Sequence, residues 1–323
     1  MTRTIAVADV GGTHARFAVA EVGGGRVQSV GQPVTLKTAD HASFQIAWQE
    51  FGRVAGIELP DALGIAFAGP VGRELLKLTN NPWVIRPALM EDRLGVTQFK
   101  IVNDFGAIAH AVAQFEAEHF DHICGPEGDL PREGVTTIVG PGTGLGVAQL
   151  LKTEENYHVI ETEGGHIDFA PLDALEDKIL AFLRRSFRRV SVERIACGTG
   201  LVNLYNAIAS IENKVVAHAD AKATWTAALE ESDPLASAAL DRFFLSLGAV
   251  AGDLALAHGA NVVVIAGGLG YRLKDRFATS GFADRFIAKG RFELRMEGIP
   301  VKLVNHPQPG LYGAAAAFAK EFA

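Results

Sequence analysis

The sequence has little cysteine: only Cys124 and Cys197 occur among its 323 residues. These thiols are far apart in the chain, and each stands beside a glycine. They make neither a disulfide framework nor a zinc-binding cluster, and such sparse use of cysteine is typical of a reducing compartment. We therefore expect a cytoplasmic protein.

Runs of basic residues are also missing. No stretch of Lys or Arg is longer than the pairs Arg184-Arg185 and Arg188-Arg189, and the formal net charge is −7. This balance argues against a surface for nucleic acid or for an anionic membrane. The four arginines are interpreted as the solvated face of a helix. The chain begins with a strand pattern, and glycine or charge interrupts its apolar stretches, so we expect neither a signal peptide nor a membrane span.

Two common nucleotide-binding motifs are absent as well. A Walker-type loop needs Gly-Lys followed by Ser or Thr, and the sequence contains no Gly-Lys dipeptide. A dinucleotide fingerprint through Gly142 and Gly144 would need glycine or alanine at the position of Val147. If this protein binds a nucleotide, it uses neither of these cradles.

What the chain does contain is a mixed α/β pattern long enough for two domains: 34.3 kDa with 48% hydrophobic residues. A strand, a glycine turn and a second strand occur near the N-terminus and again from Val135 to Leu150, which suggests two similar halves. Further strands are predicted at 27–37, 63–67, 261–266 and 301–304, and helices at 43–54, 87–94, 172–189, 201–212, 234–258 and 310–322.

A carboxylate ends one of these strands. Ile101-Val102-Asn103-Asp104-Phe105-Gly106 is predicted to be a buried strand that ends where a helix begins. Ligands of open α/β sheets bind at the carboxyl ends of strands, and a carboxylate there can take a proton from a substrate hydroxyl. The alternative is that Asn103 or Asp104 only caps the helix. The residues alone leave both interpretations open.

Three glycine-rich turns each follow a predicted strand, and we name them in chain order. They are the first glycine turn (Gly11-Gly12-Thr13), the second glycine turn (Gly142-Thr143-Gly144) and the third glycine turn (Gly267-Gly268-Leu269-Gly270). Glycine lets backbone N–H groups approach an anion, and threonine adds a hydroxyl donor, so such turns can bind phosphates. A single turn of this kind is usually only structural.

An acidic segment, Glu161–Asp168, contains Glu163 and His166 among glycines, and Glu193 follows later. Carboxylates and an imidazole suit the hydroxyls of a sugar, which both donate and accept hydrogen bonds. The alternatives are a solvated loop, a histidine that is only structural and the start of a surface helix. A metal site is less convincing, because His166 has no second His or Cys at ligand spacing.

Together these motifs resemble the bacterial glucokinases of the hexokinase, actin and Hsp70 superfamily. The resemblance rests on the ordered set Asp9–Arg16, Val102–Phe105, Gly140–Gly146, Glu163–His166 and Gly267–Leu269. It implies an α/β fold of two ribonuclease-H-like (actin-like ATPase) domains flanking a cleft for ATP and glucose. The small domain would be residues 1–113 plus 306–323, and the large domain 114–305. A homodimer is also implied by the family.

The resemblance further implies a role for each motif. Asp104 would be the general base, and Asn103, Asp104, Glu163, His166 and Glu193 would bind sugar hydroxyls. ATP would contact Asp9, Gly11, Gly12, Thr13, Gly142, Thr143, Gly144, Gly267 and Gly268. Asp9 would lie near Mg²⁺, through water. The implied reaction is phosphorylation of D-glucose at its 6-hydroxyl, at the entry to glycolysis, with closure of the domains on the sugar.

One departure from related sugar kinases and repressors narrows this expectation. Their cysteine-rich zinc motif has no counterpart in 169–183, which contains no cysteine, so the plain glucokinase branch is favoured. Two alternatives stay open at this point, namely a kinase for another hexose and a non-catalytic sugar sensor. The presence of Asp104 argues against the sensor, because a binding protein needs no base.

Overall fold

The computed structural model describes residues 2–78, 81–218 and 220–323. The strands are β1 (Arg3–Val10), β2 (His14–Gly23), β3 (Arg26–Val30), β4 (Val34–Lys37), β5 (Ala62–Phe67), β6 (Leu76–Lys77), β7 (Val84–Ile85), β8 (Gln98–Asn103), β9 (Phe120–Cys124), β10 (Gly134–Pro141), β11 (Leu145–Lys152), β12 (Tyr157–Thr162), β13 (Val262–Ile265) and β14 (Val301–Val304).

The α-helices are α1 (Phe44–Ala55), α2 (Met90–Leu94), α3 (Asp104–Gln114), α4 (Ala174–Leu183), α5 (Gly200–Ile211), α6 (Ala221–Leu229), α7 (Pro234–His258), α8 (Gly268–Arg272), α9 (Phe282–Ile287), α10 (Glu293–Glu297) and α11 (Pro309–Phe322). The chain forms two compact units: unit 1 is Met1–Glu116 with His306–Ala323, and unit 2 is Ala117–Asn305. That each unit is a separate domain stays a prediction.

The sheet of unit 1 has the order β3-β2-β1-β5-β8, with β4 also paired to β2. β1 is antiparallel to β2 and parallel to β5, which is parallel to β8. Side chains alternate along β1, so Ile5 and Val7 pack with α11, while Ala6 and Ala8 pack with α1 on the opposite face. By the same alternation, Asp9 lies on the α11 face of the sheet.

Helix α11 approaches its neighbours in unit 1 at backbone distance. A Cβ on Gly313 would lie 1.8 Å from the carbonyl oxygen of Ala107 in α3, and a Cβ on Gly64 would lie 2.5 Å from that of Ala314. Only glycine fits at either position, because no side chain can stand between the two backbones. The small residues of α11 therefore let it lie directly on α3 and β5.

Unit 2 repeats this arrangement. Its sheet has the order β12-β11-β10-β13-β14-β9, in which β10 is antiparallel to β11 and parallel to β13, and β13 is parallel to β14. Both hairpins predicted from the sequence are therefore confirmed. The shared strand order supports the ribonuclease-H-like assignment, which itself stays a prediction.

Helix α7 fills the core of unit 2. By length and composition it could cross a membrane, but 67% of its most apolar window is buried inside the protein. Its residues Phe243, Phe244 and Leu247 belong to the main hydrophobic cluster of the unit. The apolar length of α7 is thus that of a core helix.

Two sequence predictions are corrected here. The helix predicted at 172–189 is α4, which ends at Leu183; Arg184 caps it, and the arginine pairs follow in a turn rather than on a helix face. Beyond the helix, the carbonyl of Val190 accepts from Phe169 N–H, which pairs this stretch with the chain before α4. The strand at 27–37 is two strands, β3 and β4, separated by Gly31-Gln32-Pro33.

The strand before Asp104 is also less buried than predicted. β8 lies at the edge of its sheet, and Val102 is its one fully buried residue. A strand with a single neighbour keeps one side open, although its hydrophobic run resembles that of a central strand. By contrast, the predicted apolar face of α1 is confirmed, since Phe44, Ala47, Trp48 and Phe51 are all buried.

Candidate active site

In unit 1, the first glycine turn joins β1 to β2. Thr38 fixes this turn: its Oγ1 donates to the carbonyl of Gly12 (2.7 Å) and its N–H to that of Thr13 (3.0 Å), while Asn81 Nδ2 also donates to Gly12 (3.2 Å). In a trans peptide the N–H points opposite to the carbonyl. The N–H of Thr13 is therefore directed away from Thr38, as a phosphate-binding turn requires.

Asp9 precedes this turn and faces Arg16 across the hairpin, with Arg16 Nη1 donating to Asp9 Oδ2 at 3.2 Å. Burial raises the pKa of Asp9 above its ordinary value, and the charge and hydrogen bond of Arg16 oppose that shift. Arg16 thus offsets part of the effect of burial on this carboxylate.

The end of β8 separates the roles of Asn103 and Asp104. Asn103 is the cap of α3: its Oδ1 accepts from the N–H groups of Phe105 (2.9 Å) and Gly106 (3.3 Å), and its Nδ2 donates to the carbonyl of Gly69 (3.2 Å). Asp104 is the first residue of the helix, and its Oδ1 accepts from Phe105 N–H at 3.0 Å. The sequence alone left open whether Asn103 or Asp104 caps the helix; in the structure the cap is Asn103.

Asp9 and the Asn103-Asp104 pair both lie at the carboxyl ends of strands in the sheet of unit 1. β1, β5 and β8 are parallel neighbours, with Asp9 in register with Ala66 and Asn103 in register with Phe67. Two strand spacings of about 4.8 Å put the backbones at Asp9 and Asn103 roughly 10 Å apart. The chain segments that carry Asp9 and Asp104 are therefore two strands apart at the carboxyl ends of this sheet.

In unit 2, the second and third glycine turns are adjacent, because β10 and β13 are parallel neighbours. Gly267 has φ = 88°, a conformation that favours glycine, and a Cβ there would lie 3.2 Å from the carbonyl oxygen of Pro141. The carbonyl of Gly142 accepts from Gly198 N–H at 2.7 Å, so the N–H of Thr143 points away from Gly198. The structure brings these two predicted phosphate or nucleotide turns together.

The acidic segment is held against β11. A Cβ on Gly165 would lie 2.0 Å from the carbonyl oxygen of Leu145, and a Cβ on Gly164 would lie 2.9 Å from Val147 Cγ1. Both glycines are therefore required for this close packing. They form a 3₁₀ turn that leaves Glu163 and His166 largely exposed, with His166 Nε2 3.8 Å from Glu163 Oε2.

Glu193 reaches the same place from a second 3₁₀ turn, Val192–Arg194. Val192 N–H donates to the carbonyl of Ile167 at 2.9 Å, which ties this turn to the residue after His166. The carboxylate of Glu193 accepts from Leu145 N–H at 2.9 Å. The turn that carries Glu163 and His166 and the carboxylate of Glu193 thus both contact Leu145, the first residue of β11, directly after the second glycine turn.

Three residues of these sites were not singled out from the sequence: Arg16, Gly198 and Gly310. Arg16 stands within the hairpin motif, but only the register of β1 with β2 pairs it with Asp9. Gly198 belongs to Cys197-Gly198-Thr199-Gly200, a glycine-rich stretch that the sequence could have indicated. Gly310, in the first turn of α11, lies against the carboxylate of Asp9, where a Cβ would be 3.0 Å from Asp9 Cγ, and the local sequence carries no signal of this contact. Within the described ranges, no group of three or more His, Cys, Asp and Glu side chains is placed to hold a metal ion.

A family model named Glucokinase matches residues 6–321. A glucokinase from Zymomonas mobilis subsp. mobilis is 60% identical over 318 residues, which cover 98% of each chain. A crystal structure of a glucokinase from an Antarctic psychrotroph has a TM-score of 0.84 at 33% identity, covering 97% of this chain and 98% of that one.

A more distant solved structure agrees in fold. The glucokinase from Balamuthia mandrillaris, crystallised in complex with glucose, has a TM-score of 0.80 at 22% identity, covering 98% of this chain and 93% of that one. At this identity the likeness concerns the fold alone.

Proposed function

Because the chain belongs to the glucokinase family and is an ATP-dependent glucose kinase, we propose that it transfers the γ-phosphoryl group to the 6-hydroxyl of glucose with Asp104 as the general base. The observation that carries this proposal is the division of roles at the end of β8. Asn103 caps α3 through its own amide, so the helix does not need Asp104 for that purpose. Asp104 is partly exposed at the ligand-binding edge of the sheet.

The sugar would be bound by polar side chains near the carboxyl ends of the strands in the two sheets. Asn103 and Asp104 supply an amide and a carboxylate from unit 1, and Glu163, His166 and Glu193 supply hydroxyl-binding groups from unit 2. Glu163 and His166 are more than half exposed, so they can exchange water for sugar hydroxyls at small desolvation cost. Each hydroxyl would donate to a carboxylate and accept from the imidazole or the amide.

The three glycine turns would bind ATP, the first and second at its phosphates and the third beside the adenosine. The derived directions of the Thr13 and Thr143 N–H groups support this proposal, because anions bind to such oriented backbone donors. Asp9 fits the donor set of Mg²⁺, which binds in nucleotide sites through one or two carboxylates, several waters and substrate phosphates. When bound, the ion supplies positive charge to the transferring phosphates.

Glucose binding would also close the enzyme. Water competes with the sugar as acceptor of the phosphoryl group, so a site completed only by glucose protects ATP from hydrolysis. The same proposal includes the other properties that the family resemblance supports. They are this closure, a place at the entry to glycolysis, a cytoplasmic location, a homodimer and membership of the hexokinase, actin and Hsp70 superfamily.

Replacement of the base tests the proposal. In Asp104→Asn the amide cannot take the proton of the 6-hydroxyl, and we expect kcat to fall by the ~10²–10⁴-fold typical of lost general-base catalysis. Asp220→Asn is the matched control: Asp220 caps α6 by accepting from Ala223 N–H at 2.8 Å, and Asn caps equally well. A folded Asp104→Asn enzyme that keeps more than about a tenth of the wild-type kcat would contradict the mechanism.

A second experiment defines the substrates. The intact enzyme is assayed for formation of the hexose phosphate with a panel of hexoses crossed with a panel of phosphoryl donors. We expect glucose with Mg-ATP to give the highest kcat/KM, and phosphorus NMR to place the product phosphate on the 6-oxygen. A higher kcat/KM for another hexose would favour the alternative kinase.

A further inference from the structure

The carboxylate of Glu193 is packed against the second glycine turn. Its Oε2 accepts from Leu145 N–H at 2.9 Å. A Cβ on Gly144 would lie 2.3 Å from that same oxygen, so the carboxylate touches the turn itself and not only the strand that follows it. A residue proposed to bind sugar therefore also holds a turn proposed to bind phosphate.

The chain after Glu193 holds the other end of this turn. Gly198 N–H donates to the carbonyl of Gly142 at 2.7 Å, and Gly198 is in turn fixed by Trp225, whose Nε1 donates to its carbonyl at 2.8 Å. The second glycine turn thus lies between two contacts from one short segment, 193–198. A shift of this segment would move the N–H groups of the turn.

Leu145 also contacts the 3₁₀ turn that carries the proposed sugar-binding residues Glu163 and His166. Leu145 donates its N–H to the carboxylate of Glu193. Its carbonyl oxygen packs against Gly165, where a Cβ would lie only 2.0 Å away. Gly165 lies between Glu163 and His166 in the chain, and it is the residue of the 3₁₀ turn that packs most tightly against β11. Leu145 is therefore the point at which the proposed sugar side chains and the second glycine turn meet.

We propose that Glu193 is a positioning residue that couples glucose binding to nucleotide binding. Its Oε2 keeps Leu145 and the glycine turn in place, and its Oε1 accepts a sugar hydroxyl, so bound glucose fixes the turn in the conformation that receives the phosphates. The inference rests on the proposed function, because it requires Glu193 to contact the sugar. Reciprocity then requires the nucleotide to raise the affinity for glucose by the same factor.

Binding measurements on the intact enzyme test this coupling. The Kd of the non-hydrolysable ATP analogue AMP-PNP, with Mg²⁺, is measured by calorimetry without glucose and with saturating glucose. For the wild type we expect glucose to lower this Kd about 5- to 150-fold, the usual range of coupling between sites. A ratio near 1 in a wild type that binds both ligands would overturn the inference.

Two variants interrupt the link from opposite sides. Glu193→Asp is one methylene shorter and cannot reach both Leu145 and the sugar, and the Cβ of Gly144→Ala displaces the carboxylate from the turn. We expect the coupling ratio to fall to within about twofold of 1 in each variant. Glu193→Gln keeps the length and one acceptor oxygen, so it should keep part of the coupling. If Glu193→Asp does not fold, Gly144→Ala decides the question.

Two controls separate the coupling from its premise. Glu163→Gln should weaken glucose binding about 10- to 100-fold, as loss of a charged hydrogen bond does, while the coupling ratio stays as in the wild type. Gly298→Ala repeats the glycine change at an exposed position with an ordinary 3.4 Å contact to the carbonyl oxygen of Arg295, and should leave both affinities unchanged. Unaltered glucose affinity in Glu163→Gln and in Glu193→Asp would contradict the proposed sugar site. A retained wild-type ratio in Glu193→Asp, with weakened glucose binding, would contradict the coupling alone.

Discussion

The carboxylate of Asp9 lies against Gly310 in the first turn of α11. A Cβ at position 310 would lie 3.0 Å from both Cγ and Oδ2 of Asp9, closer than side chains normally approach. Asp9 is on the α11 face of β1, where Ile5 and Val7 are buried against the same helix, so a side chain at position 310 would press on the carboxylate. Glycine at position 310 therefore keeps Asp9 in place.

We expect Gly310→Ala to impair the enzyme without destabilising it. The added methyl would displace the Asp9 carboxylate by a few tenths of an ångström, and small misplacements of catalytic groups reduce rates by up to ~10²-fold. Alanine is a better helix former than glycine by about 1 kcal/mol, so the thermal midpoint should stay equal or rise. The measurement is kcat and KM for Mg-ATP as a function of Mg²⁺ concentration. An activity equal to that of Gly298→Ala at every Mg²⁺ concentration would exclude this role.

The second glycine turn gives a prediction about the phosphoryl donor. A Cβ on Gly142 would meet nothing closer than Gly144 O at 3.9 Å, so a larger side chain does not collide with the protein. In Gly142→Val the isopropyl group should instead obstruct the phosphates, and we expect the KM for ATP to rise at least tenfold, about 1.4 kcal/mol. The KM for glucose should change far less. Equal increases in both constants would mean that the turn is only structural.

Closure on the sugar is tested by solution scattering. Glucose alone, without nucleotide, should lower the radius of gyration of the enzyme, because the proposed closure needs only the sugar. Tryptophan fluorescence offers a second readout, since Trp48 and Trp83 are buried in unit 1 and Trp225 lies in unit 2. Scattering profiles that superimpose with and without saturating glucose would refute the closure.

The buried side chain of His110 leads us to predict that the protein loses stability in mild acid. Burial, followed by the charges of Lys100 and Lys320, lowers the pKa of this α3 side chain from 6.5 to about 4. Between these values the unfolded chain binds a proton that the folded protein does not, so the free energy of unfolding falls as pH decreases from 6.5 towards 4. Over the whole interval the loss is about 3 kcal/mol.

The measurement is urea unfolding from pH 7 to pH 4 for the wild type, His110→Gln and His158→Gln. His110→Gln removes the titrating group, so its stability should depend less steeply on pH, whereas substitution of the exposed His158 should leave the wild-type slope. The carboxylates contribute equally to all three proteins and cancel in the comparison. Parallel curves for the wild type and His110→Gln would show that His110 does not titrate in this interval.

The features that the sequence determined by itself are those that depend on neighbouring residues. The two hairpins, the apolar face of α1 and the glycine turns after β1, β10 and β13 follow from side-chain alternation, helical periodicity and the backbone freedom of glycine. The family resemblance, confirmed by the family model over residues 6–321, also rests on short ordered motifs. Their predicted roles at the site stay predictions until the variants are measured.

The tertiary structure decided the features that depend on which distant segments meet. Hydrophobic pattern did not reveal that β8 is an edge strand or that α4 ends at Leu183, because strand neighbours and the pairing of Phe169 with Val190 are set by the fold. The same holds for Asp9 beside Gly310 and for Glu193 on Leu145, 48 residues away. Spacing along the chain does not encode these contacts. They form only when the packed strands and helices bring the two backbones within hydrogen-bonding or van der Waals distance.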